Sequence, residues 1–399
     1  MKKGGDHTPY KDEFQLAALL ADFGGRLFRV GGCVRDELLG REHHDRDYVV
    51  VGLSATDFET VVPEAFACGK AFHVYRLQIA KQWIEVALAR TESKAGYGHL
   101  GFSVTSNRDV KLIDDLRRRD FTINAMAQDV LTGEIYDPYG GRDDLKRGIL
   151  KAVSHAFKED PLRVYRAARL ESQLNFATDG GTRNKMKEIL GEIGSLSVER
   201  VYEEVNRALQ SRNPTRFFTM LHSIGALDYH FPELADLFAD TTAFERTMNV
   251  LAACAQTTQD TPLRFAALVQ GLSEEAVREF CTRLKLPGKW LKAGVCITTC
   301  KVSLEVMDLQ TVRQLVEALF FAKRTPLGIR GYCTLCRQIG EVYQLPKTEI
   351  FNVLPAVFGE VIKDVSVDSE AKERGGAFIR ERLHTVYAQR LFELLSRFL

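Results

Sequence analysis

Between residues 27 and 136 the apolar positions gather into short runs rich in β-branched and aromatic side chains: YVVVG at 48–52, FHVYRL at 72–77, WIEVALA at 83–89 and EIYD at 134–137. Runs of this length, separated by polar turns and helical stretches, predict strands. In WIEVALA the alternation puts Trp83, Glu85 and Ala87 on one face, and Ile84, Val86 and Leu88 on the core face. FQLAALLADF at 14–23 predicts a short helix packed on this sheet, preceded by a polar start over 1–13. Residues 91–115, TESKAGYGHLGFSVTSNRDVKLIDD, are Gly-rich and polar and predict a long loop, a feature that tends to be functional inside a compact domain. After about residue 152 the two-residue alternation stops. Apolar residues then fall at helical spacing, with Pro214, Pro232, Pro262, Pro287, Pro326 and Pro346 between segments. The expected class is α+β: a sheet domain followed by an all-α remainder.

The stretch Leu27 to Gly52, LFRVGGCVRDELLGREHHDRDYVVVG, holds the densest chemistry. It reads as a strand, a Gly31-Gly32 turn, a short helix from about Cys33, a polar loop, and a second strand starting at Asp45. Asp45 and Asp47 flank Arg46, so their carboxylates lie side by side on one strand face. Adjacent carboxylates repel, and a divalent cation relieves that repulsion; Mg²⁺ takes one or two carboxylates plus the oxygens of a triphosphate. The two glycines let the backbone approach a ligand, and the N–H groups opening the next helix suit a phosphate. Singly, a D-x-D reads as solvated turn chemistry and a Gly-Gly pair as an ordinary turn; their order carries the signal. Glu85 is a candidate third acidic group, although a solvent-facing glutamate is the reading its strand favours.

Composition narrows the partners. In 399 residues, 54 Lys and Arg balance 53 Asp and Glu, so nucleic acid would have to be held by a local patch rather than a global field. One such patch runs from Arg163 to Lys187, with six basic residues against two acidic ones, and Arg163, Arg166 and Arg169 recur every three residues along a helix. Another is Arg117-Arg118-Arg119 before Asp120. On an exposed helix face such a run is merely solvated, but beside a D-x-D and a Gly-Gly turn its planar forks match triphosphate oxygens. Eight scattered cysteines fit a reducing cytoplasm. AALLA at 17–21 is too short for a signal peptide, and no run approaches the ~18 apolar residues of a membrane span, so a soluble cytoplasmic protein is expected. Cys296 with Cys300, and Cys333 with Cys336, would each share a helix face. A Cys₄ zinc site is conceivable, and buried thiols acting as small hydrophobes are the commoner outcome. Neither Gly69-Lys70 nor Gly288-Lys289 has the glycine and hydroxyl residue of a P-loop.

In chain order, GG-x-x-RD, D-x-D, RRRDFTINAM at 117–126, DPYGGRDDL at 137–145, EDPLRVYRAARL at 159–170 and SVERVYEEV at 197–205 resemble the motifs of the class II bacterial tRNA nucleotidyltransferase (CCA-adding) and poly(A) polymerase family, with its polymerase-β-type head. The resemblance covers roughly residues 24 to 230. It implies an N-terminal extension at 1–23, a catalytic mixed-sheet nucleotidyltransferase head at 24–151, a helical neck for nucleotide selection at 152–215, a helical body at 216–345 and a tRNA-binding helical tail at 346–399. It also implies that Asp45 and Asp47 hold two Mg²⁺ ions and that Gly31, Gly32, Arg35, Arg119, Asp120, Asn124, Arg166 and Arg169 bind the nucleotide. Within that set, Arg119 would contact the nucleotide while Asp120 and Asn124 shape its sugar side. Asp160 and Arg163 would read the base of CTP or ATP. The expected partner is the 3′ end and acceptor arm of tRNA; no protein partner is inferable. In the family, the loop matching 91–115 helps the site move between adding C and adding A.

Two alternatives stay open at this point, and a third activity does not. A poly(A) polymerase, or an enzyme adding only A or only CC, shares the chemistry, although WIEVALARTESK looks more like the CCA type. A non-catalytic RNA-binding relative would have lost the D-x-D. Some relatives carry a phosphohydrolase module with a His-Asp doublet after a segment like LRFAAL; here LRFAAL at 263–268 is followed by Val269-Gln270, so that side activity is not expected.

Overall fold

Helix α1 (Glu13–Asp22) starts where the Asp12 carboxylate accepts the amide of Gln15 at 3.0 Å, and it lays Leu16, Ala17 and Leu20 on the sheet. The computed structural model describes residues 10–42, 46–68, 74–94, 102–364 and 376–396. Asp45, residues 95–101 of the predicted loop and residues 365–375 of the predicted tail lie outside them. The chain divides into two compact units, Met1–Leu196 and Ser197–Leu399, with the boundary inside the stretch that the resemblance reads as the neck.

In the first unit α1 is followed by β1 (Arg26–Val30), α2 (Gly32–Leu38), β2 (Asp47–Val51), α3 (Ala55–Val61), β3 (Phe66–Cys68), β4 (Val74–Ile79), β5 (Gln82–Leu88), β6 (Thr91–Lys94), β7 (Phe102–Thr105), α4 (Leu112–Arg117), β8 (Ala127–Asp129) and β9 (Ile135–Tyr136). Seven strands form one sheet in the order β3-β4-β5-β2-β1-β8-β9. β2 and β5 are parallel and the other neighbours antiparallel, which makes the sheet mixed, as expected. Strand alternation gives each face its own core. Tyr48, Val50, Tyr75, Ile84 and Val86 pack against α1 and α3 with Phe58, while Phe28, Val30 and Val49 pack against Leu116, Ala125 and Ala127 on the other side.

Two sequence expectations need correction. The predicted loop at 91–115 contains an antiparallel ladder, β6 with β7, pairing Thr91 with Thr105 and Glu92 with Val104, and then α4. Its Thr, Val and Phe residues supply the strand propensity that the flanking glycines masked. The remainder beyond 152 is not wholly helical: after α5 (Gly141–Arg147), the short β10 (Ile149–Leu150) pairs in parallel with β11 (Ala177–Thr178), across α6 (Leu162–Leu174). α7 (Gly180–Glu188) follows, started by the Asp179 carboxylate on the Thr182 amide at 2.8 Å.

The second unit is helical from Val198–Gln210 to Gly376–Leu395 among its described residues. Asp240, Ser273 and Asp308 each cap the helix that follows. Trp290 stacks on Phe265 at 5.1 Å in its core. Arg264 is 2% exposed and donates to the carbonyls of Leu209, Ser211, Ala255 and Thr258, so its buried charge is met by peptide dipoles. No helix among the described residues is long and apolar enough to cross a membrane.

Candidate active site

β1 ends at Val30, whose register partner on β2 is Asp47. The next residue, Gly31, adopts φ 77°, ψ −132°, a conformation that side chains disfavour. A Cβ there would lie 3.1 Å from Nη1 of Arg119, so the glycine also makes room for that guanidinium beside the turn. Arg119 donates from Nη2 to Asp115 at 3.2 Å, while its Nε is buried with no hydrogen-bond partner among the described residues. A fork held from behind with a donor still to satisfy, next to a Gly-Gly turn, fits an oxyanion ligand.

Asp47 opens β2 with its side chain exposed, and its register partner on the parallel β5 is Glu85. The two carboxylates therefore share a sheet face one strand apart. Arg46 turns the other way, its guanidinium 3.7 Å from Glu13 of α1. Glu85 is 3.8 Å from Arg76 of β4, an exposed pair that contributes little to stability and can yield to a stronger cation. Oxygen-only donors on neighbouring strands suit Mg²⁺. Among the described residues no group of three or more His, Cys, Asp or Glu is placed to hold a metal, and Asp45 is outside them. The cysteine pairs raised from sequence form no such group. Burial pushes the Cys333 thiol up to about 12, as for a packing residue.

Behind the turn runs a polar chain linking α2 to α6. Arg35 Nη1 donates to Asn124 Oδ1 at 2.7 Å, Asn124 Nδ2 to Asp120 Oδ1 at 3.1 Å, and Arg166 of α6 to Asp120 Oδ2 at 2.8 and 2.7 Å. Arg35 is also forked by Asp36. The turn Thr122–Asn124 that carries Asn124 is fixed from below, where Thr122 Oγ1 donates to Asp144 of α5 at 2.7 Å and Gly141 leaves no space for a Cβ against the Thr122 carbonyl.

Burial alone would raise the Asp120 carboxyl, but Arg166 and Arg163, with the Asn124 amide, hold it well below the usual carboxylate range. A depressed folded value stabilises fully above the unfolded value of about 3.9 and is lost as pH falls through the folded one. Asp120→Asn should therefore unfold at lower temperature at neutral pH, by roughly 3 kcal/mol for a broken buried pair, with the difference from wild type closing only below about pH 4. Calorimetry from neutral to strongly acid pH checks this; equal stability at neutral pH would reject the pair as a structural tie.

The remaining sequence candidates lie on or before α6. Asp160 accepts the Leu162 amide at 3.1 Å and so caps the helix. Arg163 donates to the carbonyls of Ala156 at 2.7 Å and Arg118 at 2.5 Å, and Arg169 is buried and donates to Gln173 at 2.6 Å. The triple-arginine run is not an exposed helix face: α4 ends at Arg117, and Arg118 and Arg119 fold back on Asp115, which is wholly buried and held in its charged form by both. Sequence reasoning missed Asp115. Its signal was the spacing of three and four residues ahead of those arginines.

A model of the poly A polymerase head domain matches residues 27–151, and one described as the probable RNA and SrmB-binding site of polymerase A matches residues 175–238. The CCA-adding enzyme of Coxiella burnetii is 39% identical over 278 residues, 68% of this chain and 70% of that protein. The crystal structure of the Bacillus stearothermophilus CCA-adding enzyme in complex with CTP superposes with a TM-score of 0.67 at 25% identity, covering 96% of this chain and 92% of that one. The Thermotoga maritima CCA-adding enzyme complexed with tRNA-CCA shares the fold with a TM-score of 0.70 at 20% identity, covering 96% and 94%. With this head architecture and with relatedness running across two thirds of a complete relative, the chain belongs to the CCA-adding enzyme family of tRNA nucleotidyltransferases.

Proposed function

We propose that the protein adds C and A nucleotides to the 3′ end of tRNA without a nucleic-acid template. The observation that carries this reading is the Asp47–Glu85 carboxylate pair, in register one strand from the Gly31–Arg119 cradle. The RNA 3′-hydroxyl attacks the α-phosphate of CTP or ATP, the new phosphodiester forms, and pyrophosphate leaves. Asp45 and Asp47, with Glu85 as the third carboxylate, would hold Mg²⁺, two ions in the full site, which supplies an activated hydroxyl and neutralises the leaving oxygens. Gly31, Gly32 and Arg119 receive the triphosphate. Arg35, Asn124, Asp120 and Arg166 form the wall behind it and carry the sugar side, with Arg169 supporting from α6. Asp160 and Arg163 select the base. Positioning and charge neutralisation then supply most of the rate. A tRNA substrate and free thiols fit a cytoplasmic site of action.

The test is to incubate the protein with tRNAs ending before, within and after CCA, giving CTP and ATP singly and together, and to read product lengths. CCA addition predicts C residues alone from CTP, A only after CC, and no extension of a finished end. Long A tails would assign a poly(A) polymerase, one-nucleotide specificity a partial enzyme, and no incorporation a non-catalytic relative.

A further inference from the structure

The sheet face that carries Asp47 and Glu85 continues outward past them. Arg76 of β4 is the register partner of Glu85, and Phe66 of β3 is the partner of Arg76, so Asp47, Glu85, Arg76 and Phe66 form one row across four strands. Trp83 lies two residues from Glu85 on the same face. It is 52% exposed and Phe66 64%, their ring centroids are 6.1 Å apart at 52°, and the Arg76 guanidinium sits 5.9 Å from the centre of the indole. Neither core of the sheet includes these side chains: one is served from the opposite face of the same strands by Tyr75, Leu77, Ile84 and Val86, and the other gathers around Phe28, Val30 and Val49. Two large rings and a guanidinium exposed together beside a reaction centre call for an occupant.

We propose that Trp83, Phe66 and Arg76 form a stacking platform for the single-stranded nucleotides that precede the reacting 3′ end of the RNA. The inference rests on the nucleotidyl-transfer reading given above. Phosphoryl transfer places the attacking and leaving oxygens roughly in line. The cradle for the leaving pyrophosphate, Gly31 and Arg119, lies on the β1 side of Asp47, so the hydroxyl must approach from the β5 side. That is the side of the exposed rings: at about 4.8 Å per strand, Arg76 lies about 10 Å from Asp47 and Phe66 about 14 Å. Nucleotides immediately upstream of the 3′ end must cross this surface. Every base has a π face, so stacking accepts any sequence, which suits a surface that meets a different terminal nucleotide after each addition. Arg76 adds a cation over the ring and a fork for the phosphate that follows.

The chain has two tryptophans, Trp83 and the fully buried Trp290 of the other unit, so quenching of emission by RNA reports on Trp83. Titration of the full-length protein with tRNA ending before CCA should quench the Trp83 component. Trp83→Leu should abolish the quench, and tRNA trimmed to its last acceptor base pair should fail to cause it. Trp83→Ala should raise KM for tRNA about tenfold, within the range for losing one stacked base, and Trp83→Ala with Phe66→Ala should raise it further. Trp83→Tyr should restore most of the affinity; Kd for CTP and the melting temperature should stay at wild-type values. Unchanged KM together with unquenched emission would overturn the platform. So would a lowered melting temperature with intact RNA affinity, which marks a structural role, or a wild-type dimer that Trp83→Ala dissociates, which marks a contact between copies. If the wild type incorporates no nucleotide into any tRNA, the function reading fails, and the fluorescence titration still decides the platform.

Discussion

Asp47→Ala should reduce nucleotide incorporation by about 10³-fold or more while leaving tRNA affinity within a few-fold of wild type. The carboxylate sits at the exposed start of β2, opposite Glu85, and has no part in either core of the sheet, so its removal spares the fold and takes one hard ligand from the proposed Mg²⁺ site. Without it the site would hold Mg²⁺ less well, and both activation of the 3′-hydroxyl and charge neutralisation of the departing pyrophosphate would suffer. Losing one negative charge does not weaken electrostatic attraction to a polyanion, so tRNA affinity should hold. Asp45→Ala should behave alike, and Glu85→Gln should show a smaller loss of kcat if Glu85 is the third ligand. Single-turnover incorporation of CTP, paired with filter binding of tRNA and a melting curve, separates these effects. Wild-type-like incorporation by Asp47→Ala would end the carboxylate account.

The alternation in WIEVALA was enough to assign faces: Ile84, Val86 and Leu88 are buried and Trp83 and Glu85 exposed, as period-two reasoning predicts. The same periodicity could not reveal that Glu85 faces Asp47. Their strands are parallel and adjacent only because β3 and β4 intervene in sequence, and register between non-consecutive strands is a tertiary property. Arg117 to Arg119 show the converse failure. Composition marked the cluster, but its geometry depends on where α4 stops and on the buried Asp115, which turns a solvated charge run into two anchored forks. The ladder of β6 and β7 escaped because Gly96, Gly98 and Gly101 and many polar residues punctuate its segment, although Thr91, Val104 and Thr105 sit within its strands. Chemistry tied to residue type and local order was readable; pairing that closes over long sequence separations was not.

Base choice should fail in a specific way when Asp160 or Arg163 is changed. Cytosine and adenine share an exocyclic amino donor beside a ring-nitrogen acceptor, an edge that uracil and guanine lack. A carboxylate only accepts and a guanidinium only donates, so Asp160 can take the amino hydrogen while Arg163 gives one to the ring nitrogen. The carbonyl of U or G would instead face the carboxylate, and polar mismatch of this kind discriminates by about 10⁴ or more. A competing role is visible in the structure: Asp160 caps α6 through the Leu162 amide at 3.1 Å, and Arg163 ties α6 to the carbonyls of Ala156 and Arg118. Alanine at either position removes both roles at once, so Asp160→Ala and Arg163→Ala should lose stability as well as selectivity. Asp160→Asn separates them. Asparagine caps as well as aspartate, so the melting temperature should hold, yet its amide can donate to a carbonyl and should admit UTP and GTP, narrowing the preference for C and A by about a hundredfold. Incorporation of each of the four nucleotides on the same tRNA is the measurement. If Asp160→Asn and Arg163→Ala keep the wild-type order of preference, and only the alanine variants melt early, the two residues are helix-end fasteners and the base is chosen elsewhere.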